Sequence, residues 1–346
     1  MRIRLAVTAI VAVVIVWAAQ PSPHLPVLRL VASPGTRLLV IAPHPDDEAL
    51  AGAGVIQRVR SAGGRVRVVV ITSGDALPPA VERLEPGVTP GPEDFRKSAR
   101  LREDESRRAM TTLGLESNDV TFLGFPDGGL CLLASAFLSP RSTPLTSPST
   151  QRTTPPLDEQ IVRGVTYRGS DLRTELERIV TAFNPTVLAA PDPGDEHPDH
   201  CAAYVFARAA LDVVHSDTVN GRAAARESDA TGAPRFFRYV IHFDGWPSDR
   251  DTATPVMPPR EFDEPLNQWR TLPLTVGEMR VKKAALGAYA SQWSVVGHLL
   301  RGFSRPNEIF LEGRPAHAPE CWCDAEHVAT ELLPGQRRRH PPASQR

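Results

Sequence analysis

The sequence carries no excess of charge of either sign. Its 39 lysines and arginines are balanced by 40 aspartates and glutamates, so the formal net charge is −1 over 346 residues. Proteins that bind nucleic acid through their surface have a strongly basic balance, because contacts to phosphate supply most of their affinity. We therefore predict that nucleic acid is not among the partners of this protein.

The sequence is also poor in long hydrophobic runs. One run, residues 5–19, is interrupted by Thr8 alone and is shorter than the ~20 residues that comfortably span a bilayer. Arg2 and Arg4 precede it, and a proline-containing segment follows it. This pattern is typical of a secretory signal peptide. We expect residues 1–23 to be a signal peptide or an N-terminal anchor. A membrane contact is expected only through such an anchor, and the protein is expected to be extracytoplasmic.

Cysteine is scarce as well, with four residues in the chain. Cys321 and Cys323 lie close together, whereas Cys131 and Cys201 stand alone. Two neighbouring cysteines without further ligands nearby make a poor zinc site, and export would allow a disulfide instead. The pairing cannot be read from the spacing, so we interpret the cysteines as structural or incidental.

Proline and glycine, in contrast, are abundant, with 34 and 24 residues. They cluster at residues 78–92 and 139–156 and beyond residue 315, which predicts long loops around a compact core. We expect a single domain at residues 34–314 with loop insertions near 138–166 and 216–234, and a flexible tail at 315–346. The Ser/Thr/Pro-rich part of the first insertion, residues 138–156, is expected to be a flexible excursion near the pocket.

Short apolar runs alternate with helical segments through the core. Strands are expected at 37–42, 66–71, 120–123 and 186–190, and helices at 48–62, 95–113, 171–183 and 200–214. Continuous apolar strands in this alternation are typical of a parallel sheet that helices cover on both faces. The predicted fold is therefore α/β, a Rossmann-like and mostly parallel sheet. Such sheets bind ligands beyond the carboxyl ends of the strands, where the strand order reverses.

Two segments rich in histidine and aspartate follow predicted strands. Residues 44–48, His-Pro-Asp-Asp-Glu, come after the first strand, and residues 195–200, Asp-Glu-His-Pro-Asp-His, come after the fourth. A hydrolytic metal site needs about three histidine or carboxylate ligands and an open position for water. The candidate ligands in the two segments are His44, Asp47, His197, Asp199 and His200. Aspartates before a helix are also common N-caps, but the second segment favours a metal site.

The chain resembles a known family at these segments. Residues 42–48 and 197–200 are similar to the paired signatures of the PIG-L/LmbE-like deacetylases, which include N-acetylglucosaminyl-phosphatidylinositol, mycothiol-precursor and bacillithiol-precursor de-N-acetylases. Weaker similarities lie at Arg102 and Glu105, at residues 123–128 and at residues 282–292. The resemblance extends roughly over residues 36–310.

The resemblance implies a metal centre. His44, Asp47 and His200 match the metal ligands of the family, where the metal is usually zinc and another divalent ion such as Fe²⁺ is the alternative. Asp46 matches the general base that takes a proton from the water that the metal activates. A metal of this kind lowers the pKa of water and polarises the carbonyl of an amide.

The resemblance also implies roles for four other residues. His197 matches the histidine that stabilises the oxyanion and protonates the leaving amine, and Asp199 stands where a carboxylate would orient it. Arg102 and Asp127 match positions that contact sugar hydroxyls. The alternative for Arg102 is a solvated helix charge paired with Glu105 or neighbouring acids, and the alternative for Asp127 is a role in its turn.

These features predict a zinc-dependent hydrolase that removes an N-acyl group, expected to be acetyl, from an amino sugar of a glycan, glycolipid or glycoconjugate. The partner is then a carbohydrate substrate, and no pattern indicates the oligomeric state. One alternative is a metal-dependent phosphoesterase, and another is a non-catalytic sugar-binding module with a structural metal. Four histidines have no partner pattern and are left outside the site: His215, His242, His298 and His317.

Overall fold

The computed structural model describes residues 24–84, 86–160, 162, 164–220, 234–315 and 321. The expected leader, most of the insertion near 216–234 and nearly all of the tail after residue 315 lie outside the described residues. Within the described ranges, no helix combines the length and the apolarity that crossing a bilayer requires.

The core of the protein is one mixed sheet. Its seven strands are β1 (Arg37–Ala42), β2 (Arg65–Thr72), β3 (Val120–Phe125), β4 (Val187–Pro191), β5 (Arg235–Tyr239), β6 (Trp269–Pro273) and β7 (Asn307–Glu312). Their order is β3-β2-β1-β4-β5-β7-β6. Strands β1 to β5 pair parallel with one another, whereas β7 pairs antiparallel with β5 and β6. The predicted α/β fold with a mostly parallel sheet is confirmed.

Helices cover both faces of this sheet. They are α1 (Asp47–Ser61), α2 (Pro78–Glu82), α3 (Pro92–Thr112), α4 (Leu130–Ala134), α5 (Gly169–Phe183), α6 (Pro198–Asn220), α7 (Val276–Gly287) and α8 (Ala290–Gly302). Helices α1, α3, α7 and α8 share one apolar cluster with Leu38 and Val40 of β1. Helices α4, α5 and α6 share the opposite cluster with Leu39 and Ile41. Both faces of β1 are therefore buried, which is why its sequence is apolar without alternation.

The strand order reverses between β1 and β4. Strand β1 pairs with β2 on one side and with β4 on the other, so that Val40 lies between Val68 and Ala189. The chain builds the sheet first towards β3 and later towards β5, which leaves a crevice at the carboxyl ends of β1 and β4. Residues 44–48 and 195–200 follow these two strands, as predicted.

The last third of the fold was not fully predicted. The sequence patterns missed β5, β6 and β7, and α6 continues to Asn220, so the insertion expected near 216–234 begins inside a helix. Helix α7 begins with a capping box. The hydroxyl of Thr275 accepts the main-chain N–H of Glu278, and the carboxylate of Glu278 accepts the main-chain N–H of Thr275. This capping box can be recognised as Thr-x-x-Glu in the sequence.

Residues 138–156 are not the loose excursion that their composition predicted. The segment is tied to residue 167 by two main-chain hydrogen bonds, Leu145 N–H to Tyr167 O (2.9 Å) and Tyr167 N–H to Thr153 O (2.8 Å). Ser147 and Thr150 are buried, and the hydroxyl of Ser147 accepts the main-chain N–H of Thr150 at 3.2 Å. The hydroxyl of Ser147 thus satisfies a buried main-chain group, a role that composition alone does not reveal.

A disulfide joins Cys201 of α6 to Cys321, across a sequence separation of 120 residues. Cys131 of α4 is also disulfide-bonded. The structural interpretation is therefore confirmed for Cys131, Cys201 and Cys321, and the bond at Cys201 ties residue 321 to the helix that begins at Pro198.

A buried ion pair connects α1, α7 and β7. The ammonium of Lys282 donates to Glu308 Oε1 (2.9 Å) and to the main-chain oxygen of Leu50 (2.7 Å). The same carboxylate oxygen accepts the main-chain N–H of Gly54 at 2.7 Å. Both charged side chains are almost fully buried, so each depends on the other for its neutralisation.

We expect Lys282→Ala to lower the free energy of unfolding by about 3–5 kcal/mol, because it leaves the carboxylate of Glu308 buried without its countercharge. Urea denaturation followed by circular dichroism measures this change. The matched control is Lys283→Ala, which removes the exposed neighbouring lysine and should change stability by less than about 0.5 kcal/mol. Equal effects of the two substitutions would contradict the assignment.

Candidate metal centre

Three loops at the carboxyl edge of the sheet bring the predicted site residues together. The turn from β1 to α1 supplies His44, Asp46 and Asp47; the loop from β4 to α6 supplies His197, Asp199 and His200; the turn from β3 to α4 supplies Asp127; and Arg102 reaches this group from α3. All eight residues predicted from the sequence thus lie around one crevice.

Asp47 is the hub of this group. Its Oδ2 atom accepts the main-chain N–H of His44 at 2.9 Å and lies 3.4 Å from His44 Nδ1. The same oxygen lies 3.3 Å from His200 Nε2. All three side chains are buried. One carboxylate oxygen therefore lies between imidazoles from two different loops.

The spacing of these atoms fits a divalent metal. Ligand atoms about 2.0–2.1 Å from a tetrahedral zinc ion lie about 3.3–3.4 Å from one another. The separations of Asp47 Oδ2 from His44 Nδ1 and from His200 Nε2 match this value. In the described part of the chain, His200 Nε2 is buried without a hydrogen-bond partner. It lies 3.3 Å from Asp47 Oδ2, but the angles are not those of a hydrogen bond. A nitrogen atom in that position is suited to hold a metal.

The opposite nitrogen of each imidazole faces another carboxylate. His200 Nδ1 lies 3.1 Å from Asp195 Oδ2, and His44 Nε2 lies 3.2 Å from Asp127 Oδ1 and 3.4 Å from Asp199 Oδ2. Histidines that bind metals usually place their second nitrogen on such a group, which fixes the tautomer and the ring orientation. Asp195 was not predicted as a site residue. It stands two residues before His197 in the same segment, and its role depends on how the loop folds.

The charges of the centre reinforce one another. Burial alone would lower the pKa of His200, but the carboxylates of Asp195 and Asp47 outweigh burial and raise it to about 9. Burial would raise the pKa of Asp47, but His200 and His44 hold it well below the usual range. The carboxylates outnumber the two imidazoles between them, so the centre is negative and is suited to a cation.

Asp46 has a main-chain conformation that is rare for a residue with a side chain. Its φ is 120°, and it precedes α1 without a side-chain hydrogen bond to the helix, so the N-cap interpretation does not apply to its carboxylate. Burial raises the pKa of Asp46 to about 7; Arg102 opposes this shift, whereas the charges of Asp47 and Glu48 add to it. A carboxylate with such a pKa can exchange protons near neutral pH.

Arg102 fixes the position of Asp46 through hydrogen bonds. Its Nη2 atom donates to Asp46 Oδ2 at 3.2 Å and to the main-chain oxygen of Pro45 at 2.6 Å, and its Nη1 atom donates to Gly74 O at 2.6 Å. A Cβ atom at Gly74 (φ +62°) would lie 2.2 Å from Arg102 Nη1, so glycine is required there. The interpretation of Arg102 as a solvated helix charge is wrong, because the side chain is buried.

His197 is held as a neutral hydrogen-bond donor. Its Nδ1 atom accepts the main-chain N–H of Asp199 at 3.2 Å, so the proton of the neutral ring is on Nε2. Burial, together with the charge of the neighbouring His44, lowers the pKa of His197 to about 4. The carboxylate of Asp199 itself accepts the N–H groups of Gly128 (2.8 Å) and Leu130 (2.9 Å). The contact between Asp199 and His197 thus runs through the main chain.

His242 belongs to this group, although the sequence interpretation excluded it. Its ring centroid lies 4.8 Å from that of His200 and 5.1 Å from that of His197. His242 follows β5, one of the strands that the sequence patterns missed. The apolar run that ends at Ile241 was an available signal, since a similar run precedes His44. His298 is exposed on α8, and the side chains of His215 and His317 lie outside the described residues.

A comparison with protein families agrees with the two signatures. Residues 39–211, half of the chain, match the PIG-L family, which is described as GlcNAc-PI de-N-acetylase. The matched range contains all eight predicted site residues, from His44 to His200.

Curated relatives are similar to the chain at low identity. A 1D-myo-inositol 2-acetamido-2-deoxy-alpha-D-glucopyranoside deacetylase from Streptomyces scabiei is 29% identical over 201 residues, which are 54% of this chain and 50% of that protein. A protein of the same name from Streptomyces griseus is 27% identical over 319 residues, 84% of this chain and 83% of its own length. The chain thus spans half the length of the first of these relatives.

Among solved structures, 4-carboxy-2-hydroxymuconate hydratase from Pseudomonas putida KT2440 is similar at 14% identity and a TM-score of 0.50, over 82% of this chain and 99% of that chain. This likeness concerns the fold alone, because one fold supports unrelated reactions. The family match and the two His-Pro-Asp segments at the switch point agree with each other. The chain belongs to the PIG-L family.

Proposed function

We propose that the protein is a zinc-dependent hydrolase that removes the N-acetyl group from an amino sugar of an extracytoplasmic glycan, glycolipid or glycoconjugate. The observation that carries the proposal is the position of Asp47 Oδ2 between His44 Nδ1 and His200 Nε2, with Asp46 as the preceding residue. The names of the curated relatives support an N-acetylated sugar as the substrate class.

The metal would be held by His44, Asp47 and His200. Two imidazoles and one carboxylate are a common ligand set of catalytic zinc, and Fe²⁺ is the alternative with the same set. When bound, such an ion polarises the amide carbonyl and lowers the pKa of water. The second carboxylates, Asp195 on His200 and Asp199 on His44, keep the rings in the orientation that presents their other nitrogens.

Asp46 is the proposed general base. Among the described residues, Arg102 is the one hydrogen-bond donor to its carboxylate, and it contacts Oδ2. The Oδ1 atom is left to accept a proton from the attacking water. Arg102 and the main-chain constraint at Asp46 hold the carboxylate beside Asp47, and fixed position is a large part of what a general base contributes.

His197 is the proposed oxyanion stabiliser and acid. Its protonated Nε2 atom can donate a hydrogen bond to the carbonyl oxygen as negative charge develops there, and can then protonate the leaving amine. The main-chain N–H of Asp199 at Nδ1 supports this tautomer. Arg102 and Asp127 remain the proposed contacts of sugar hydroxyls. Arg102 also donates to Gly74 O and Pro45 O, and Asp127 Oδ2 accepts the main-chain N–H of Ala76 at 2.6 Å.

An extracytoplasmic location is part of the proposal. The basic start and apolar run of residues 1–19 favour export. The disulfide between Cys201 and Cys321 also supports it, because disulfides persist in oxidising compartments and are rare in the cytosol. A glycan or glycoconjugate outside the cytoplasm is the N-acetylated sugar that such an enzyme would meet.

We expect Asp46→Asn to reduce kcat by about 10²–10⁴-fold while the metal content is unchanged, because the amide cannot take up the proton but Asp47 is retained. Acetate and free amine released from N-acetylglucosamine-containing glycans measure activity, and elemental analysis measures the metal. The matched control, Asp104→Asn on the exposed side of α3, should keep full activity. Phosphate release from phosphoesters without any acetate release would instead favour a phosphoesterase, and full activity of Asp46→Asn would refute the assigned base.

Chelation is expected to abolish acetate release, since the imidazoles and carboxylates cannot by themselves polarise the amide. Adding zinc to the metal-free protein should restore activity, and His200→Ala should prevent the restoration because it removes one of three ligands. Activity that survives complete removal of the metal, verified by elemental analysis, would contradict a metal-dependent mechanism. Restoration by Fe²⁺ but not by zinc would correct the identity of the metal.

We expect residues 1–23, fused to a reporter enzyme that is active only after export, to give reporter activity in a bacterial host. The physical reason is the basic start followed by an apolar run. The control fusion carries Leu5→Asp and Val14→Asp, which interrupt that run. Equal reporter activity from both fusions, or none from either, would contradict export through this segment.

A further inference from the structure

His242 is fixed beside the proposed ligand loop by its main chain. Its N–H group donates to Asp195 Oδ2 at 3.1 Å, and its carbonyl oxygen accepts the N–H of Glu196 at 3.0 Å. Asp195 is the carboxylate that also contacts His200 Nδ1. The position of His242 relative to His200 is therefore set by Asp195, which contacts both residues.

The side chain of His242 points to the metal centre. Ligand atoms of Asp47, His200 and His242 all lie within 4.8 Å of one another. The rings of His242 and His200 meet edge to face, with an interplanar angle of 80°. Among the residues that the structure describes, the imidazole of His242 has ring contacts with His197 and His200 but neither a hydrogen bond nor an ion pair.

An imidazole in such a place lacks a structural explanation. The ring of His242 is half-buried, and partial withdrawal from water without a hydrogen bond is unfavourable for a polar ring; contact with two other imidazoles does not offset that cost. The nitrogen of His200 nearest to Asp47 is fully buried and has no hydrogen bond among the described residues. A cation between these groups would satisfy both nitrogens at once.

His197 and His242 differ in a way that separates their roles. His197 accepts an N–H group at Nδ1, so its other nitrogen carries the proton and cannot bind a metal in the neutral ring. No protein group fixes the tautomer of His242 in the described structure, so either of its nitrogens can be the unprotonated one. Of the two, His242 is the one suited to be a ligand.

We propose that His242 is a fourth protein ligand of the metal that His44, Asp47 and His200 hold. This inference rests on the metal site of the proposed function. The ligand set would then be three imidazoles and one carboxylate, and zinc can accept a further ligand during catalysis. An additional imidazole also favours transition metals over Mg²⁺ or Ca²⁺, which prefer oxygen ligands.

The test is metal affinity of the purified full chain, measured by competition with a chromophoric chelator for Zn²⁺ and for Co²⁺. We expect His242→Ala to weaken the affinity at least tenfold and to change the visible absorption of bound Co²⁺, because the number of ligands falls. His298→Ala, an exposed histidine on α8, is the matched control and should change neither quantity. Unchanged affinity together with an unchanged Co²⁺ spectrum in His242→Ala overturns the proposal.

Two further measurements keep the proposal testable if His242→Ala folds poorly. His242→Asp offers an oxygen ligand and should bind Co²⁺ more tightly than His242→Ala. X-ray absorption of the zinc-loaded unmodified chain should show three imidazole ligands, and a count of two overturns the proposal. Asp47→Ala separates the two levels: if it keeps the metal, the proposed centre itself fails, whereas if it loses the metal and His242→Ala does not, the fourth ligand alone fails.

Discussion

The structure around the crevice depends on one buried carboxylate, that of Asp47. Its Oδ2 atom has to meet a main-chain N–H group and two imidazole nitrogens at once. This is achieved because α1 begins directly after the β1 turn and because β4, which leads to His200, is the neighbour of β1 in the sheet. The arrangement thus needs both a local turn and a long-range strand pairing, and a shift of either would separate the charges.

The remaining carboxylates join the loops to each other. Asp199, after β4, accepts the N–H groups of Gly128 and Leu130 after β3, and Asp195 accepts those of Ile241 and His242 after β5. Buried acids of this kind are unfavourable unless they are hydrogen-bonded, and here the main chain of a neighbouring loop supplies the donors. The polar centre therefore also organises the carboxyl edge of the sheet.

The sequence was sufficient where the signal was local. Continuous apolar runs marked β1 and β4, and the His-Pro-Asp segments after them marked the centre. His242 and Asp195 were not assigned, because their roles follow from the pairing of β5 with β4, in which partners such as Val187 and Arg235 lie 48 positions apart in the chain. Burial of Arg102 was equally hidden, since α3 has a charged sequence and only its tertiary neighbours decide which charges lose contact with water.

The φ of 120° at Asp46 limits how this protein can be stabilised by substitution. Such a conformation costs a residue with a Cβ atom about 1–3 kcal/mol, whereas glycine would adopt it without strain. Glycine would also remove the carboxylate. At this position, stability favours glycine, whereas the general base that we propose requires aspartate, so stabilising substitutions have to be sought elsewhere in the chain.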